Sequence, residues 1–222
     1  MKDLLNQIAM VIERGKVDQS ASYPPDLKGQ PGASDLTKSA LDQDIDPNTI
    51  LNEGLMRGMQ NIGQKFGRGE VFIPDVLIAA KAMNAAMEHL RPFFESGEAQ
   101  RKGTMIIGTV TGDLHDIGKN LVRMMMEGNG WEVIDLGVDV SADGFLQALE
   151  KHPHSIVGLS ALLTTTMVNM EDINQSIKNK FDRVPVYIGG APVTQSFSDQ
   201  IGADAYFKDP QSLIHFLNES KN

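Results

Sequence analysis

Three short stretches of this chain carry residues that could do chemistry. The first is Gly112-Asp113-Leu114-His115-Asp116-Ile117-Gly118, an imidazole two residues after a carboxylate with glycine at both ends. A carboxylate that takes the proton of one imidazole nitrogen leaves the other as a base or a metal ligand. The second, Ser160-Ala161-Leu162-Leu163-Thr164-Thr165-Thr166, offers hydroxyl donors and acceptors without charge. The third is Gly189-Gly190, where a ligand could approach the backbone closely. Each has an ordinary structural reading: glycines that end a strand, threonines that cap a helix, a solvated histidine. The glycines spell neither a dinucleotide fingerprint nor a phosphate loop. No third protein ligand stands at helical spacing from Asp113 and His115 to complete a zinc site.

The elements that must position these stretches begin near residue 104. Short β-branched runs, TMIIGTV (104–110), EVIDLG (132–137), SIVGLS (155–160), PVYIGG (185–190) and the weaker ADAYF (203–207), alternate with helical stretches. The helices are expected near 117–128, 141–151, 167–179, 194–201 and 210–219. Such alternation predicts right-handed crossovers and a five-stranded, doubly wound parallel sheet of flavodoxin-type order. Ligands of such sheets bind at the carboxyl ends of the strands, where all three stretches fall. Their coincidence on one rim outweighs the separate structural readings.

Residues 1–95 read differently, as a four-helix bundle. Leu4, Leu5, Ile8, Val11 and Ile12 share one helical face that stops at Gly15. Residues 20–35, SASYPPDLKGQPGASD, hold three prolines and two glycines and read as a mobile loop insertion. Ser34 or Asp35 is expected to cap a short helix through Leu36 and Leu41. Asp46-Pro47 starts the next, with a stripe of Ile50, Leu51, Leu55, Met59, Ile62 and Phe66. Gly67-Arg68-Gly69 ends it, and Pro74 opens a last helix over 74–91. The polar, glycine-bounded SGEAQRKG at 96–103 reads as a linker before the α/β domain of 104–222.

Asp113-x-His115-x-x-Gly118, followed by Ser160-x-Leu162 and Gly189-Gly190, resembles the signature of cobalamin-binding domains. A helical bundle directly upstream is similar to the arrangement in methionine synthase and in corrinoid proteins of methyltransferase systems. The resemblance spans the chain apart from residues 20–35. It implies cobalamin, as methylcobalamin or another corrinoid, bound without its own lower base and with His115 on cobalt. It makes Asp113 the partner of His115 and continues the relay to Thr166, where methionine synthase has serine. It sends the displaced nucleotide tail into a slot near Gly118, Ser160, Leu162, Thr164, Gly189 and Gly190, with Pro210 beyond the last strand, and it counts Gly112, Leu114, Asp116 and Ile117 among the cofactor-binding residues. It also sets Phe66 and Ile73 over the methyl face, the latter in place of leucine.

Those implications favour a methyl carrier served by a donor-specific and an acceptor methyltransferase, with a reductive activase as a further partner. A bundle and a binding domain leave no room for a substrate barrel, so a shuttle subunit is expected rather than a complete enzyme. The rivals are the cobalamin subunit of an adenosylcobalamin-dependent mutase, and a cobalamin sensor or storage protein. A mutase would leave Phe66 and Ile73 unexplained, and a transcriptional sensor would want a DNA-binding module. With 222 residues and a net charge of −9, the chain lacks the basic footprint of nucleic-acid binding. It has no cysteine and therefore no thiolate site or disulfide. MKDLLNQIAM carries Asp3 where a secretory signal needs an unbroken apolar run, and no membrane-spanning run is present, so the expected location is cytoplasmic.

Overall fold

The structure is a computed structural model and describes residues 2–219. It divides into two compact units: one ends at Lys102 and takes in Glu127–Gly130, and the other begins at Gly103.

The first unit is helical, as its periodicity predicts. Helix α1 (Lys2–Glu13) turns Leu5, Ile8, Val11 and Ile12 inward, each worth about 1.5–3 kcal/mol when fully buried. It packs against α2 (Ala33–Asp42), α4 (Arg57–Gly67) and α5 (Ile73–Glu95). Asp46 starts the third rod as expected, its carboxylate accepting the Thr49 N–H at 2.8 Å ahead of Pro47. That rod is interrupted. Between α3 (Pro47–Thr49) and α4, residues Ile50–Met56 form a π-helix flanked by Thr49 and Arg57 in helical conformation. The wider turn puts both Leu55 and Met56 inside beside Ile50, Leu51 and Gly54. A Cβ on Gly54 would lie 2.9 Å from an Ile8 methyl, so glycine lets this rod sit close to α1.

Two expectations for this unit are corrected. The loop expected over 20–35 ends at Gly32, because Ala33 already opens α2, and it is tied to the bundle by several bonds. Ala33 and Ser34 donate their N–H groups to Lys16 O and Val17 O, and Arg14 grips Asp26 through two nitrogens at 2.7 and 2.8 Å. Lys16 is fully buried with its ammonium on Ala21 O, and Leu27 is buried within a 3₁₀ turn. The cap of α2 is Gly32, not Ser34 or Asp35. Asp35 stands three places in and reaches back to Gly32 N at 2.9 Å and Gln19 N at 2.6 Å. Ser34 Oγ pairs instead with His89 Nε2 at 2.8 Å.

The second unit is the expected doubly wound domain. Strands β1 (Thr104–Thr109), β2 (Glu132–Asp135), β3 (Ile156–Ser160), β4 (Val186–Gly189) and β5 (Ala205–Tyr206) pair in parallel in the order β2-β1-β3-β4-β5. Helices α6 (Ile117–Glu127), α7 (Ala142–Lys151), α8 (Thr164–Met167), α9 (Asn169–Lys180), α10 (Gln195–Ile201) and α11 (Pro210–Glu219) connect or follow them. Ile106, Val157, Leu159, Val186 and Ile188 form the sheet's part of a core completed by Phe145, Leu149, Ile173 and Ile177. Strand order reverses between β1 and β3, so the loops after these strands leave in opposite directions and open a crevice there. No helix of the described residues is long and apolar enough to cross a membrane.

Candidate functional site

The register of the sheet brings the three chemical stretches together. Thr109 pairs with Ser160, and Ser160 with Gly189, so the ends of β1, β3 and β4 lie side by side. Asp113, the first residue of consequence after β1, is fully buried. Its Oδ1 accepts from His115 Nδ1 at 2.7 Å and His115 N at 3.0 Å. Its Oδ2 accepts from Thr166 Oγ1 at 2.6 Å and from the N–H groups of Leu162 and Leu163 at 2.8 and 3.3 Å. Burial pushes this carboxyl up, but the donors from Thr166, Leu162 and His115 together outweigh it and hold the group far below the usual carboxylate range. Asp113 is therefore an anion, and an anion only accepts hydrogen bonds.

The tautomer of His115 follows from that charge. Nδ1 must carry the proton that Asp113 receives, so the neutral ring keeps its lone pair at Nε2. Nε2 has no hydrogen-bond partner among the described residues, and the side chain is 50% exposed. Thr109 Oγ1 holds the His115 carbonyl at 2.9 Å and fixes the loop beneath the ring. Among the described residues no group of three or more acidic or histidine side chains could hold a bare metal ion. The site offers one aimed nitrogen, which suits a metal that arrives already coordinated.

The rim around His115 fits a large, partly apolar group. Leu114 and Ile117 are each 71% exposed, and Leu162, Leu163 and Val168 are exposed beside the other strand ends. Exposed side chains of this size gathered at one rim mark a binding surface. Gly118 sits in the first turn of α6, yet a Cβ there would meet nothing within 4 Å. Internal packing gives no reason for a glycine that costs a helix about 0.5–1 kcal/mol relative to alanine. Space left open for a ligand does. Gly190 has the opposite basis: at φ +133° its Cβ would stand 1.9 Å from Ala161 O, so β3 and β4 can end close together only with glycine. Gly112 takes φ +79° at the turn into the histidine loop.

The other sequence candidates divide. Thr164 is exposed at the start of α8, two residues before buried Thr166, and Ser160 and Gly189 are half-buried at the strand ends. Asp116 accepts from Asn120 and so braces the start of α6. Pro210 is buried as the first residue of α11, after Asp209 whose carboxylate receives the Ser212 N–H, and a helix start accounts for it. In the helical unit, Phe66 is half-buried near the end of α4 and Ile73 opens α5, 38% exposed. Phe72 was not singled out from the sequence, yet at 72% exposure it is the most solvent-exposed large apolar side chain between them. Its signal was present, an aromatic before the Ile-Pro helix start.

The relay makes a direct prediction. Thr166→Val keeps the shape of the side chain but removes one of the shortest bonds to a buried anion, costing about 1.5–3 kcal/mol of stability. Thr166→Ser should restore most of it. Urea unfolding followed by the fluorescence of Trp131, the single tryptophan and buried in the second unit, reads both variants.

Comparison with known proteins agrees with this geometry. Residues 103–212 match a B12 binding domain family, and residues 30–91 match a second B12 binding domain family. The chain is 43% identical over 194 residues to a trimethylamine corrinoid protein of Methanosarcina barkeri, an alignment covering 86% of this chain and 89% of that one. A cobalamin-binding protein of Desulfitobacterium hafniense DCB-2 superposes with TM-score 0.74 at 27% identity, covering 97% of each chain. A chain of the methanol:cobalamin methyltransferase complex of Methanosarcina barkeri superposes with TM-score 0.82 at 28% identity, covering 98% of this chain and 79% of that one. A buried carboxylate that aims one imidazole into a glycine-lined crevice, two matched B12 binding domains and a close corrinoid relative converge, and the chain belongs to the family of cobalamin-binding corrinoid proteins of methyltransferase systems.

Proposed function

We propose that this chain is a corrinoid methyl carrier that binds cobalamin with His115 Nε2 on cobalt in place of the cofactor's own lower base. The observation that carries the reading is the fully buried Asp113, which fixes His115 as an Nδ1–H donor and leaves Nε2 free to bind a metal. When bound, the corrinoid supplies a cobalt that accepts and releases a methyl group. The protein's part is to bind, orient and shield. Thr166 and the backbone N–H groups of Leu162 and Leu163 keep Asp113 charged and still. The nucleotide tail takes the open side of Gly118 and the strand ends at Ser160, Leu162, Thr164, Gly189 and Gly190, while Leu114 and Ile117 give the rim apolar contact.

In this reading residues 104–222 are the binding domain, 96–103 the linker and 1–95 the helical cap domain, with Phe66 and Ile73 as its candidate shielding residues. The partners are a donor-specific methyltransferase, an acceptor methyltransferase and a reductive activase, and the protein works in the cytoplasm. The likeness to a trimethylamine corrinoid protein supports a methylated amine as the donor. The test is to load the full chain with methylcobalamin and offer it to a thiol acceptor with a candidate methyltransferase. Transfer of the methyl group to the thiol is expected. Tight retention of adenosylcobalamin with no methyl transfer would overturn the carrier in favour of a mutase subunit.

A further inference from the structure

The loop that presents His115 is gripped from the side by the end of β2. Thr109 N donates to Gly137 O at 3.0 Å, Val140 N to Thr109 O at 2.9 Å, and Thr111 Oγ1 to Val140 O at 3.1 Å. These bonds run residues 137–140 along the start of the histidine loop as an irregular extra strand, with Val110 and Val140 in a parallel bridge. Asp139 closes the contact from both sides. Its Oδ1 accepts the Gly112 N–H at 2.6 Å, and its own N–H donates to Asp113 O at 3.0 Å. The far side of the loop is tied to the same strand. Lys119, 2% exposed on α6, places its ammonium 2.6 Å from both oxygens of Asp135, the last residue of β2.

The conformation of Asp139 marks it as more than a surface residue. Its φ is +55°, in the left-handed region that a non-glycine residue adopts at a cost of about 1–3 kcal/mol unless its surroundings hold it there. Only two non-glycine residues among the described ones have positive φ, Asp44 and Asp139, and Asp139 borders the site. Its side chain is exposed, so burial does not account for it. What the backbone angle achieves is to turn the carboxylate onto Gly112 N, which itself sits at φ +79°. Lys119 fixes the loop where it joins α6. Asp139 fixes it where it leaves β1. Between these two anchors lie Asp113 and His115.

The geometry points to Asp139 as a positioning residue for the cobalt ligand: it locks Gly112 and Asp113 so that His115 presents Nε2 at one height above the sheet. This rests on the reading of His115 as the lower ligand. Asp139 does not touch His115. It sets how the population of bound protein divides between histidine-ligated and unligated cobalt, because losing one hydrogen bond of this kind is worth up to about a tenfold shift in such a balance.

Three variants of the full chain, loaded with Co(II) cobalamin, test it by nitrogen superhyperfine coupling in the electron paramagnetic resonance spectrum. Asp139→Gly takes φ +55° freely, and the strain it relieves offsets the carboxylate bond it removes, so its urea midpoint should stay close to the parent's. It should lower the ratio of ligated to unligated cobalt about tenfold. Asp139→Asn, which keeps an acceptor oxygen and tolerates the left-handed region, should restore the parent ratio to within about threefold. His115→Ala should abolish the coupling. If His115→Ala abolishes it while Asp139→Gly leaves the ratio unchanged, the inference about Asp139 is wrong and the ligand assignment stands. If Asp139→Asn is as deficient as Asp139→Gly, the carboxylate acts through its charge rather than by gripping Gly112, and the inference is again overturned. Coupling that persists in His115→Ala removes the ligand assignment itself, and the role of Asp139 with it.

Discussion

Replacing His115 by alanine is expected to leave a folded protein that still takes up cobalamin but no longer holds its cobalt from below. The ring is half exposed and its one side-chain bond is to Asp113, so the fold loses little. Asp113 keeps four donors: His115 N, Leu162 N, Leu163 N and Thr166 Oγ1. One hydrogen bond to a buried carboxylate, about 1.5–3 kcal/mol at most, is the stability at risk. The functional loss should be far larger. Loss of a residue that merely orients a metal ligand costs about 10–100-fold in metal affinity or activity, and loss of the ligand itself should exceed that in methyl transfer. The absorption spectrum of the bound corrinoid should shift to that of a cofactor without a nitrogen below cobalt. An unchanged spectrum together with parental methyl transfer would refute the assignment.

Two glycines should fail in opposite ways. Gly190→Ala forces a Cβ to within 1.9 Å of Ala161 O at a φ of +133°, a backbone region almost closed to other residues. Backbone strain and overpacking of about 1–3 kcal/mol each would remove much of the stability of a domain this size. The ends of β3 and β4 must part, and the bond from Ala161 N to Gly189 O at 3.3 Å goes with them. Gly118→Ala meets no atom and gives α6 a better helix former, so its urea midpoint should hold or rise. Its methyl group, however, occupies the space proposed for the cofactor tail. Cobalamin affinity should fall by tenfold or more in a protein at least as stable as the parent. Equilibrium dialysis beside the urea titration separates the two effects. Full affinity in Gly118→Ala would mean the tail runs elsewhere.

The α/β domain was readable because each strand is a short β-branched run with turn chemistry at its carboxyl end, and parallel topology then forces those ends onto one rim. Asp113 and His115 announce themselves by spacing, and the partnership with Thr166 came from resemblance rather than from the residues, since three adjacent threonines look alike in sequence. Burial picks out Thr166, whereas Thr164 and Thr165 face solvent. Asp139 was not legible. Its contact with Gly112 spans 27 residues and depends on a backbone angle that composition does not encode. The π-helix at Ile50–Met56 was hidden for a related reason, because an apolar run reads alike in a helix of either pitch. Residues 20–35 were partly legible: prolines and glycines mark the irregular backbone up to Gly32, but composition hides the buried Lys16, the Arg14–Asp26 pair and the helix that starts at Ala33.

The hydrogen bonds of Asp113 also set a timetable. They join the loop after β1 to the loop after β3, across 49 to 53 residues of chain. Contacts this distant form late, after the chain has closed the intervening segment. On a ribosome, which extends the chain from the amino end, the histidine loop is made well before the groups that orient it. A nascent chain that stops short of Leu162 therefore has the imidazole and its Asp113 partner, but not the donors that hold that carboxylate in place. The braced form of the proposed ligand is thus a property of the finished domain, in which both loops are present.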